Sequence, residues 1–395
     1  ARRKTEWVPG EWVERIEGIR GAAAAGYGAG AEGGEVNNIT ERPTNGWDGS
    51  LSLYTGQPEN DKEGDTKRAN FNLSGPLAGD ALTMRLYGNI NKTDADAADI
   101  NNAQNGSYAA GREGVRNKDI NALFSWKLTP SQIVDFDYSY SRQGNIYAGD
   151  TQYSNGNLSP NGLVDSLYGS ETNRLYRQSY GLTHNGFWEW GTSKFTASYE
   201  KTNNTRLNEG STGRVEGMIN SDEFSTSRLG NYRTGGEVNI PIERWLEQTV
   251  TLGAEWNREE LNDPASISAT DASGVTVGGV SGNPADRNAK NSATTAAVYF
   301  EDNIQPWIGT FLIPGLRFDH HNQFGNNWSP SLNLSQDLGE FFKVKAGIAR
   351  VFKAPNLYQS SEGYLLGTRG NGCPKTISNG SCYLLGNTDL DAEVS

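Results

Sequence analysis

The two cysteines are the first residues in this chain whose chemistry depends on their spacing. Cys373 and Cys382 are the only cysteines among 395 residues, and eight residues of polar sequence separate them. Zinc would need further ligands close by, but His184, His320 and His321 lie elsewhere in the sequence. A disulfide that closes a short exposed loop in an oxidising compartment is therefore the favoured interpretation.

Other residue types that could support catalysis or ion binding do not occur in the required patterns. The glycine-rich stretch from Gly28 to Gly34 is not followed by the Gly-Lys-Ser/Thr of a phosphate-binding loop. Asp94, Asp96 and Asp99 lack the spacing of a calcium-binding loop. No nucleophile, base and orienting residue can be assembled. The chain is therefore predicted not to be an enzyme and to hold no metal through its own side chains.

Segments in which every second residue is apolar recur along the chain. Val134, Phe136 and Tyr138 alternate with carboxylates and hydroxyls, and similar segments occur downstream. Because side chains on a strand alternate between two faces, each segment predicts a strand with one apolar face. Thirteen such strands are predicted near residues 47–56, 67–75, 81–92, 119–128, 131–142, 174–185, 193–203, 232–240, 248–258, 294–304, 312–320, 327–335 and 341–351.

The linkers between these strands differ in length on alternate sides. Short turns, such as 76–80, 129–131 and 337–340, alternate with longer linkers rich in Gly, Asn, Ser and Asp. The long linkers on the other side are 93–118, 143–173, 204–231, 259–293 and 352–395, with one short exception at 321–326. This asymmetry is typical of outer-membrane barrels, whereas a soluble sandwich has no reason for it. The predicted fold class is therefore all-β, a transmembrane antiparallel β-barrel.

In such a barrel the apolar alternate residues should face lipid and the polar ones the lumen. We expect an outward set of Met84, Phe124, Trp126, Phe136, Trp256 and Val344. We expect an inward set of Arg85, Lys127, Asp135, Glu255 and Lys343.

Composition favours the same interpretation. Only 35% of residues are hydrophobic, which is low for a soluble chain of this length, while aromatic residues make up 10%. No apolar run reaches the length of a membrane-spanning helix. The formal net charge of −12 argues against a nucleic-acid partner, which would favour a basic surface.

The ends of the chain suggest that it is part of a longer protein. It opens on Ala1-Arg2-Arg3-Lys4 without an apolar run, so a signal peptide has been removed or the chain is an internal fragment. Thirteen strands would also leave an open sheet edge, whose unpaired backbone groups are costly in lipid.

Several long strings resemble the TonB-dependent outer-membrane transporters, and specifically the ferric enterobactin receptors. The string WVERIEGIRG at 12–21, followed by Tyr27-Gly28, Gly33-Gly34 and 37–40, resembles the plug segment of that family. The strings that resemble its catecholate-siderophore branch are 142–152, 171–178, 314–320, 327–330, 353–358, 372–373 and 382–390. The resemblance covers nearly all of the chain.

The resemblance implies a 22-stranded barrel with an N-terminal plug. Residues 1–45 would be the C-terminal part of the plug, with two short strands around a compact loop, and 46–395 the N-terminal portion of the barrel with long extracellular loops. The signal peptide, the energy-coupling box, the front of the plug and about nine C-terminal strands would be missing. The plug motif departs from the usual family form at Gly18, Ala22, Gly26, Glu32, Glu35 and Asn38.

The resemblance also implies a set of binding residues at the long-loop rim. Cations and aromatic rings suit an anionic ferric tris-catecholate. The implied substrate-binding residues are Tyr147, Arg174, Arg177 and Arg206, with Gln152 and Tyr153 as weaker candidates. The alternative is that the arginines pair with carboxylates or lipopolysaccharide and that Tyr147 belongs to an interfacial girdle. The plug charges Glu14, Arg15, Glu17 and Arg20 would pair with the barrel wall, or form a solvated face.

The implied function is TonB-energised import of a ferric catecholate siderophore across the bacterial outer membrane. Iron would enter only as the siderophore complex, with no cofactor bound by protein ligands. The implied partners are the siderophore, TonB through a segment missing from this chain, and outer-membrane lipid and lipopolysaccharide. Two alternatives remain: a barrel that serves mainly as a docking surface for bacteriocins or phage, and a soluble all-β adhesin domain.

Overall fold

The computed structural model describes residues 13–20, 34–40, 46–97, 100–101, 111–149, 166–209, 219–264, 289–353, 365–368, 382–385 and 393–394. Its strands, in chain order, are β1 Val13–Arg20, β2 Gly34–Thr40, β3 Asp48–Gly56, β4 Thr66–Ala78, β5 Leu82–Thr93, β6 Gly114–Thr129, β7 Gln132–Ile146, β8 Asn173–Trp188, β9 Gly191–Glu209, β10 Ile219–Ile242, β11 Glu247–Asn262, β12 Lys290–Trp307, β13 Thr310–His321, β14 Gly325–Leu338, β15 Phe342–Ala349, β16 Phe352–Lys353, β17 Leu365–Thr368, β18 Cys382–Leu385 and β19 Glu393–Val394. Among these residues, no helix is long and apolar enough to cross a membrane.

Strands β3 to β15 form one antiparallel sheet of 13 strands, in which each strand pairs with its neighbours in sequence. All thirteen strands predicted from the alternation are therefore confirmed. Short turns join alternate pairs, and three of these turns place a glycine at positive φ: Gly79, Gly309 and Gly339. Only glycine adopts this conformation without strain, so these residues permit the tight connections.

The strands extend further towards the long-loop side than the sequence predicted. Most of the predicted loop 204–231 is strand, because β9 continues to Glu209 and β10 begins at Ile219. Here Thr205 and Thr226 pair across the two strands, and both are polar. Backbone pairing needs no apolar face, so strand structure continues after the alternation has ended.

The pairing register separates the side chains of the sheet into two faces. One continuous row of paired residues runs through Met84, Phe124, Phe136, Leu182, Ala197, Thr234, Trp256, Ala296 and His320. Because residues paired directly across strands share a face, we call this side the apolar face. Trp126 and Val344 lie on it too, so all six residues expected to face lipid share one face.

The opposite side is the polar face, and it carries the expected lumenal set. Asp135 and Glu255 lie in one row of paired residues, which continues to Asp319. Arg85, Lys127 and Lys343 lie on the same face. Arg85 and Asp319 are buried, whereas Trp126 and Trp256 of the apolar face are exposed. The aromatic set is thus not packed inside a closed core.

Aromatic rings concentrate near both ends of the apolar face. Tyr138, Tyr180, Tyr199 and Tyr232 lie side by side, one row nearer the long loops than Phe136, with successive ring centroids 5.1, 6.4 and 4.7 Å apart. We call these four residues the tyrosine row. At the short-turn ends, the exposed aromatic residues include Trp190, Trp245, Trp307 and Phe341. Two aromatic girdles are typical of a barrel wall that meets two membrane interfaces.

A charge network ties β11 to β13 on the polar face. Arg317 donates from Nη2 to Glu255 Oε2 at 2.7 Å and from Nε to both carboxylate oxygens of Asp319 at 3.1 Å. Its guanidinium carbon also lies 5.6 Å from the centroid of the Tyr299 ring. The Arg317 and Asp319 side chains are only 4% and 2% exposed, so the two charges neutralise each other within the wall.

Outside the large sheet, β1 pairs with β2, β16 with β19 and β17 with β18, all antiparallel. The predicted pair of short strands in residues 1–45 is thus confirmed. Of the departures from the plug motif, Gly18, Glu35 and Asn38 lie in the β1–β2 ladder. Ala22, Gly26 and Glu32 lie outside the described residues, and so does Cys373, which leaves the predicted disulfide a prediction.

Candidate functional site

The candidate site lies at the long-loop ends of β7, β8 and β9, where the backbone is tied together across strands. Asn145, near the end of β7, accepts hydrogen bonds through Oδ1 from the amides of Thr172 and Asn173 at 2.8 and 2.9 Å. Its Nδ2 donates to Thr172 Oγ1 at 2.7 Å and to Glu113 Oε2 at 3.2 Å. Burial raises the pKa of Glu113, and the Asn145 hydrogen bond partly offsets this rise. Asn145 thereby anchors the chain that enters β8.

Tyr147 forms a small hydrophobic cluster immediately after β7. Its side chain is only 5% exposed and packs with Leu207, Leu167 and Tyr168. The Tyr147 and Tyr168 ring centroids are 5.9 Å apart. The Tyr147 amide donates to Ser170 O and its carbonyl accepts from the Gly169 amide, both at 2.9 Å. The structure therefore places Tyr147 in packing contacts at the rim, and its predicted ligand contact stays a prediction.

Arg142, Glu171 and Arg174 form an ion-pair cluster on the apolar side of the rim. Arg142 Nη2 donates to Glu171 Oε1 and Oε2 at 2.6 and 2.9 Å. Arg174 Nε lies 3.8 Å from Glu171 Oε1, and its guanidinium carbon is 5.5 Å from the Phe224 ring centroid. Arg174 therefore has a carboxylate and an aromatic neighbour, as the alternative interpretation of strand-end arginines expects.

Arg177 lies three residues further along β8 and therefore on the polar face. Its Nε is 3.1 Å from Glu200 Oε1, and both side chains are partly exposed. The predicted pair Arg174 and Arg177 is thus divided between the two faces of the sheet, because an odd spacing on a strand reverses the side. Of these two, only Arg177 points to the side that faces the lumen in an outer-membrane barrel.

Arg206 also lies on the polar face. It is exposed, and the register places it opposite Asn173 on β8 and Ser225 on β10. It forms no ion pair with any described residue. The polar face at this rim thus holds one cation that is paired with a carboxylate, Arg177, and one that is exposed and outside any ion pair, Arg206.

The remaining predicted site residues are not placed by the structure. Gln152 and Tyr153 lie outside the described residues. For Glu14, Arg15, Glu17 and Arg20 the structure describes the strand β1 that carries them; Arg15, Glu17 and Arg20 pair with Ile39, Asn37 and Gly34 of β2. Their predicted pairing with the barrel wall remains a prediction.

Sequence reasoning missed the residues that hold the rim together. Glu171 and Asn145 form side-chain hydrogen bonds that join β7 to the chain entering β8, with partners 27 to 32 positions away along the chain. Both lie within or beside the strings 142–152 and 171–178 that carried the family resemblance, and that position is the one signal that could have identified them.

Comparison with known proteins decides the family. Residues 121–395 match the family described as "TonB dependent receptor-like, beta-barrel". The chain belongs to this family of TonB-dependent receptors. The all-β membrane-barrel fold predicted from the sequence is thereby confirmed.

Individual TonB-dependent receptors are similar to the whole of this chain. It is 56% identical over 400 residues to the ferric enterobactin receptor PirA of Pseudomonas aeruginosa, covering 100% of this chain and 53% of that protein. It is 48% identical over 410 residues to the ferrienterobactin receptor of Escherichia coli, covering 100% of this chain and 54% of that protein. The chain therefore spans about half the length of the curated relatives it matches.

Solved structures of TonB-dependent receptors give the same result. A mutant of the ferric enterobactin receptor PfeA of Pseudomonas aeruginosa, in complex with enterobactin, matches at a TM-score of 0.88 and 48% identity, covering 100% of this chain and 57% of that one. The siderophore receptor PirA of Acinetobacter baumannii matches at 0.86 and 50% identity, covering 98% and 55%. The alcaligin receptor FauA of Bordetella pertussis, at 14% identity and a TM-score of 0.60, shares the fold.

Proposed function

We propose that the full-length protein imports a ferric catecholate siderophore of the enterobactin type across the bacterial outer membrane, energised by TonB. The observation that carries this proposal is the extent of the similarity: relatives named for ferric enterobactin match all of this chain, including β1 and β2. A receptor that is similar only in its barrel wall would share the fold without the specificity. Here the similarity to those relatives also includes the long-loop ends of the strands and the loops between them.

The polar face supports this proposal chemically. A ferric tris-catecholate carries net negative charge, and Arg206 presents an exposed cation on the side that faces the lumen in an outer-membrane barrel. An anionic ligand near Arg177 would compete with Glu200 for the same guanidinium. Arg206 is therefore the stronger of the two candidates, because its charge is not already neutralised by a described carboxylate.

The iron in this proposal is cargo. It enters within the siderophore complex, and the described residues contain no group of three or more His, Cys, Asp or Glu side chains arranged to hold a metal ion. The further partners in the proposal are TonB and the membrane lipid around the barrel. Bacteriocin or phage docking is an alternative use of the same long loops.

Growth rescue tests the proposal. The full-length protein would be produced in a strain that lacks its own enterobactin receptors and cannot make siderophores. We expect growth under iron limitation with ferric enterobactin, no growth with a ferric hydroxamate, and no growth when the TonB gene is deleted. Failure of ferric enterobactin to restore growth, while the protein is present in the outer membrane, would contradict the proposed import.

A further inference from the structure

Four cations follow one another down the polar face of three neighbouring strands, β8 to β10. Measured along β9, a cation occurs at every fourth residue: Arg206 itself, Arg177 opposite Thr202, Arg233 opposite Ser198, and Lys194 itself. At about 3.3 Å per strand residue, successive cations are about 13 Å apart in the direction of the strands. We call Arg206, Arg177, Arg233 and Lys194 the cation strip. It leads from the long-loop rim towards the short turns, on the side that faces the lumen in an outer-membrane barrel.

Three members of the cation strip carry charges that are available to a ligand. Arg206, Arg233 and Lys194 are exposed and form no ion pair with any residue that the structure describes. Arg177 differs, because its Nε lies 3.1 Å from Glu200 Oε1. Many of the polar-face residues between the cations are small, so they do not cover the charged groups: Ser179, Gly181, Thr183, Thr196, Ser198 and Gly235.

The strands on either side of the strip carry the opposite charge. On the polar face, β7 carries Asp135 and Asp137, and β11 carries Glu247, Glu255 and Glu259. Neither of these two strands places a cation on that face within its described residues. An anion near the wall is therefore attracted to β8–β10 and repelled from β7 and β11. The charge pattern confines an anionic ligand to one part of the wall.

Passage through a lumen needs contacts that a ligand can both form and leave, and several weak sites in succession meet this requirement. Arg206 offers an unpaired charge at the rim. At Arg177 an arriving anion replaces Glu200, and that carboxylate remains beside the guanidinium to pair with it again when the anion leaves. Arg233 and Lys194 offer the next contacts deeper in the lumen.

We propose that the cation strip guides the anionic ferric siderophore along the β8–β10 wall, from Arg206 at the rim to Lys194 near the short turns. Arg233 and Lys194 act in passage rather than in capture, because they lie about 26 and 39 Å from Arg177 and Arg206 neither in the loops nor at the rim but one and three strip intervals of about 13 Å deeper, respectively. The inference rests on the proposed function and deepens it, since it assigns the route of the siderophore to one part of the wall.

Uptake measured separately from surface binding tests this inference. The full-length protein would be produced in the receptor-deficient strain and supplied with ferric enterobactin that carries radioactive iron. Surface binding is measured with the TonB gene deleted, and uptake with the gene present. We expect Arg233→Gln/Lys194→Gln to lower the uptake rate at saturating siderophore about fivefold or more, while the surface affinity changes by less than about twofold.

The matched control removes one exposed arginine and one exposed lysine of the polar face outside the strip. Arg68→Gln/Lys127→Gln, on β4 and β6, should change neither uptake nor surface affinity by more than about twofold. Unchanged uptake in Arg233→Gln/Lys194→Gln, or equal losses of uptake in both double variants, would overturn the proposal.

Two further variants test whether charge is the property that matters. Arg233→Lys/Lys194→Arg keeps both charges and should take up ferric enterobactin within about twofold of the unsubstituted protein. Glu200→Gln should tighten surface binding and slow uptake, because the ligand then leaves Arg177 without a competing carboxylate. Loss of uptake in the charge-preserving variant, or weaker binding by Glu200→Gln, would contradict guidance by charge.

Plug carboxylates are the alternative partners of these cations. Entry of vancomycin into cells that produce Arg233→Gln/Lys194→Gln, without entry in the control, would assign the cations to retention of the plug and overturn the proposal. Heat-modifiable gel mobility reports folding, and Arg233→Gln alone should lower uptake about twofold or more if the double variant fails to fold. If the unsubstituted protein does not import ferric enterobactin, the proposed function fails; if it imports and the double variant imports equally, only the route along the strip fails.

Discussion

Among the three predicted binding arginines, Arg206 is the one whose place on the sheet best suits an anionic ligand. It lies on the polar face, it is exposed, and no described carboxylate pairs with it. Arg177 shares that face but is already paired with Glu200, while Arg174 lies on the opposite face beside Glu171. At the scale of single residues, two properties therefore decide which predicted arginine can bind an anionic ligand in the lumen: the face of the sheet on which it lies, and whether a carboxylate already pairs with it.

We expect Arg206→Ala in the full-length protein to weaken ferric-siderophore binding about ten- to a hundredfold. Loss of one charge-assisted contact typically costs about 1.5–3 kcal/mol. A binding titration that follows quenching of intrinsic fluorescence would measure the change. Arg228→Ala is the matched control, because Arg228 is an exposed arginine of the adjacent strand on the other face. A change in affinity of less than about twofold for Arg206→Ala would show that Arg206 is a solvated charge at the rim and does not contact the siderophore.

We expect Tyr147→Ala to loosen the rim without unfolding the barrel. Tyr147 and Leu207 are almost fully buried in a cluster that holds residues 166–172 against β9. Removing a buried aromatic side chain costs about 3–5 kcal/mol where the cavity cannot collapse. Hydrogen exchange should therefore accelerate at the amides of Gly169, Ser170 and Leu207, with Tyr147→Phe as the matched control. Unchanged exchange at these amides would show that the cluster does not hold the rim.

The strands were predictable because their middle parts obey one simple physical rule. In β7 the alternation of Val134, Phe136 and Tyr138 with polar residues marks a wall that separates two environments. Beyond the tyrosine row both faces become polar, as at Lys118 and Asp119 of β6, so the pattern no longer marks the strand ends. The opposite placement of Arg174 and Arg177 follows from the same period of two. The contact of Glu171 with Arg142 could not be predicted from that period, because the two residues are 29 positions apart and Glu171 precedes β8.

At the scale of the strand pair, the Arg317 network should stabilise the wall strongly. Arg317→Met would leave Asp319 buried without its partner, and breaking a buried ion pair in this way typically costs about 3–5 kcal/mol. Lys343→Met is the control, because its partner Asp337 is 3.5 Å away and the two side chains are 48% and 42% exposed. That change should cost less than about 1 kcal/mol. Urea unfolding in lipid vesicles would measure both, and equal losses would contradict a special role for the buried pair.

At the scale of the whole molecule, one pairing register assigns every side chain from β3 to β15 to one of the two faces of the sheet. Side chains that share a row across the sheet share an environment, so one face meets lipid and the other meets water. Leu182 and Thr183 are adjacent in β8 but belong to opposite faces, in the rows of Phe136 and Asp135. A difference between these two neighbours therefore tests the orientation of the entire wall rather than one local contact.

We expect spin labels at Leu182→Cys and Thr183→Cys of the full-length protein in lipid vesicles to report opposite environments. The label at position 182 should collide with oxygen, which concentrates in the bilayer, and the label at 183 with a water-soluble nickel complex. Labelling of the unsubstituted protein controls for Cys373 and Cys382. The pairing register sets the facing of all side chains of a strand at once, so a one-residue slip would exchange the two results. Reversed accessibilities would therefore place the aromatic face towards the lumen and contradict the barrel orientation on which the proposed role of Arg206 depends.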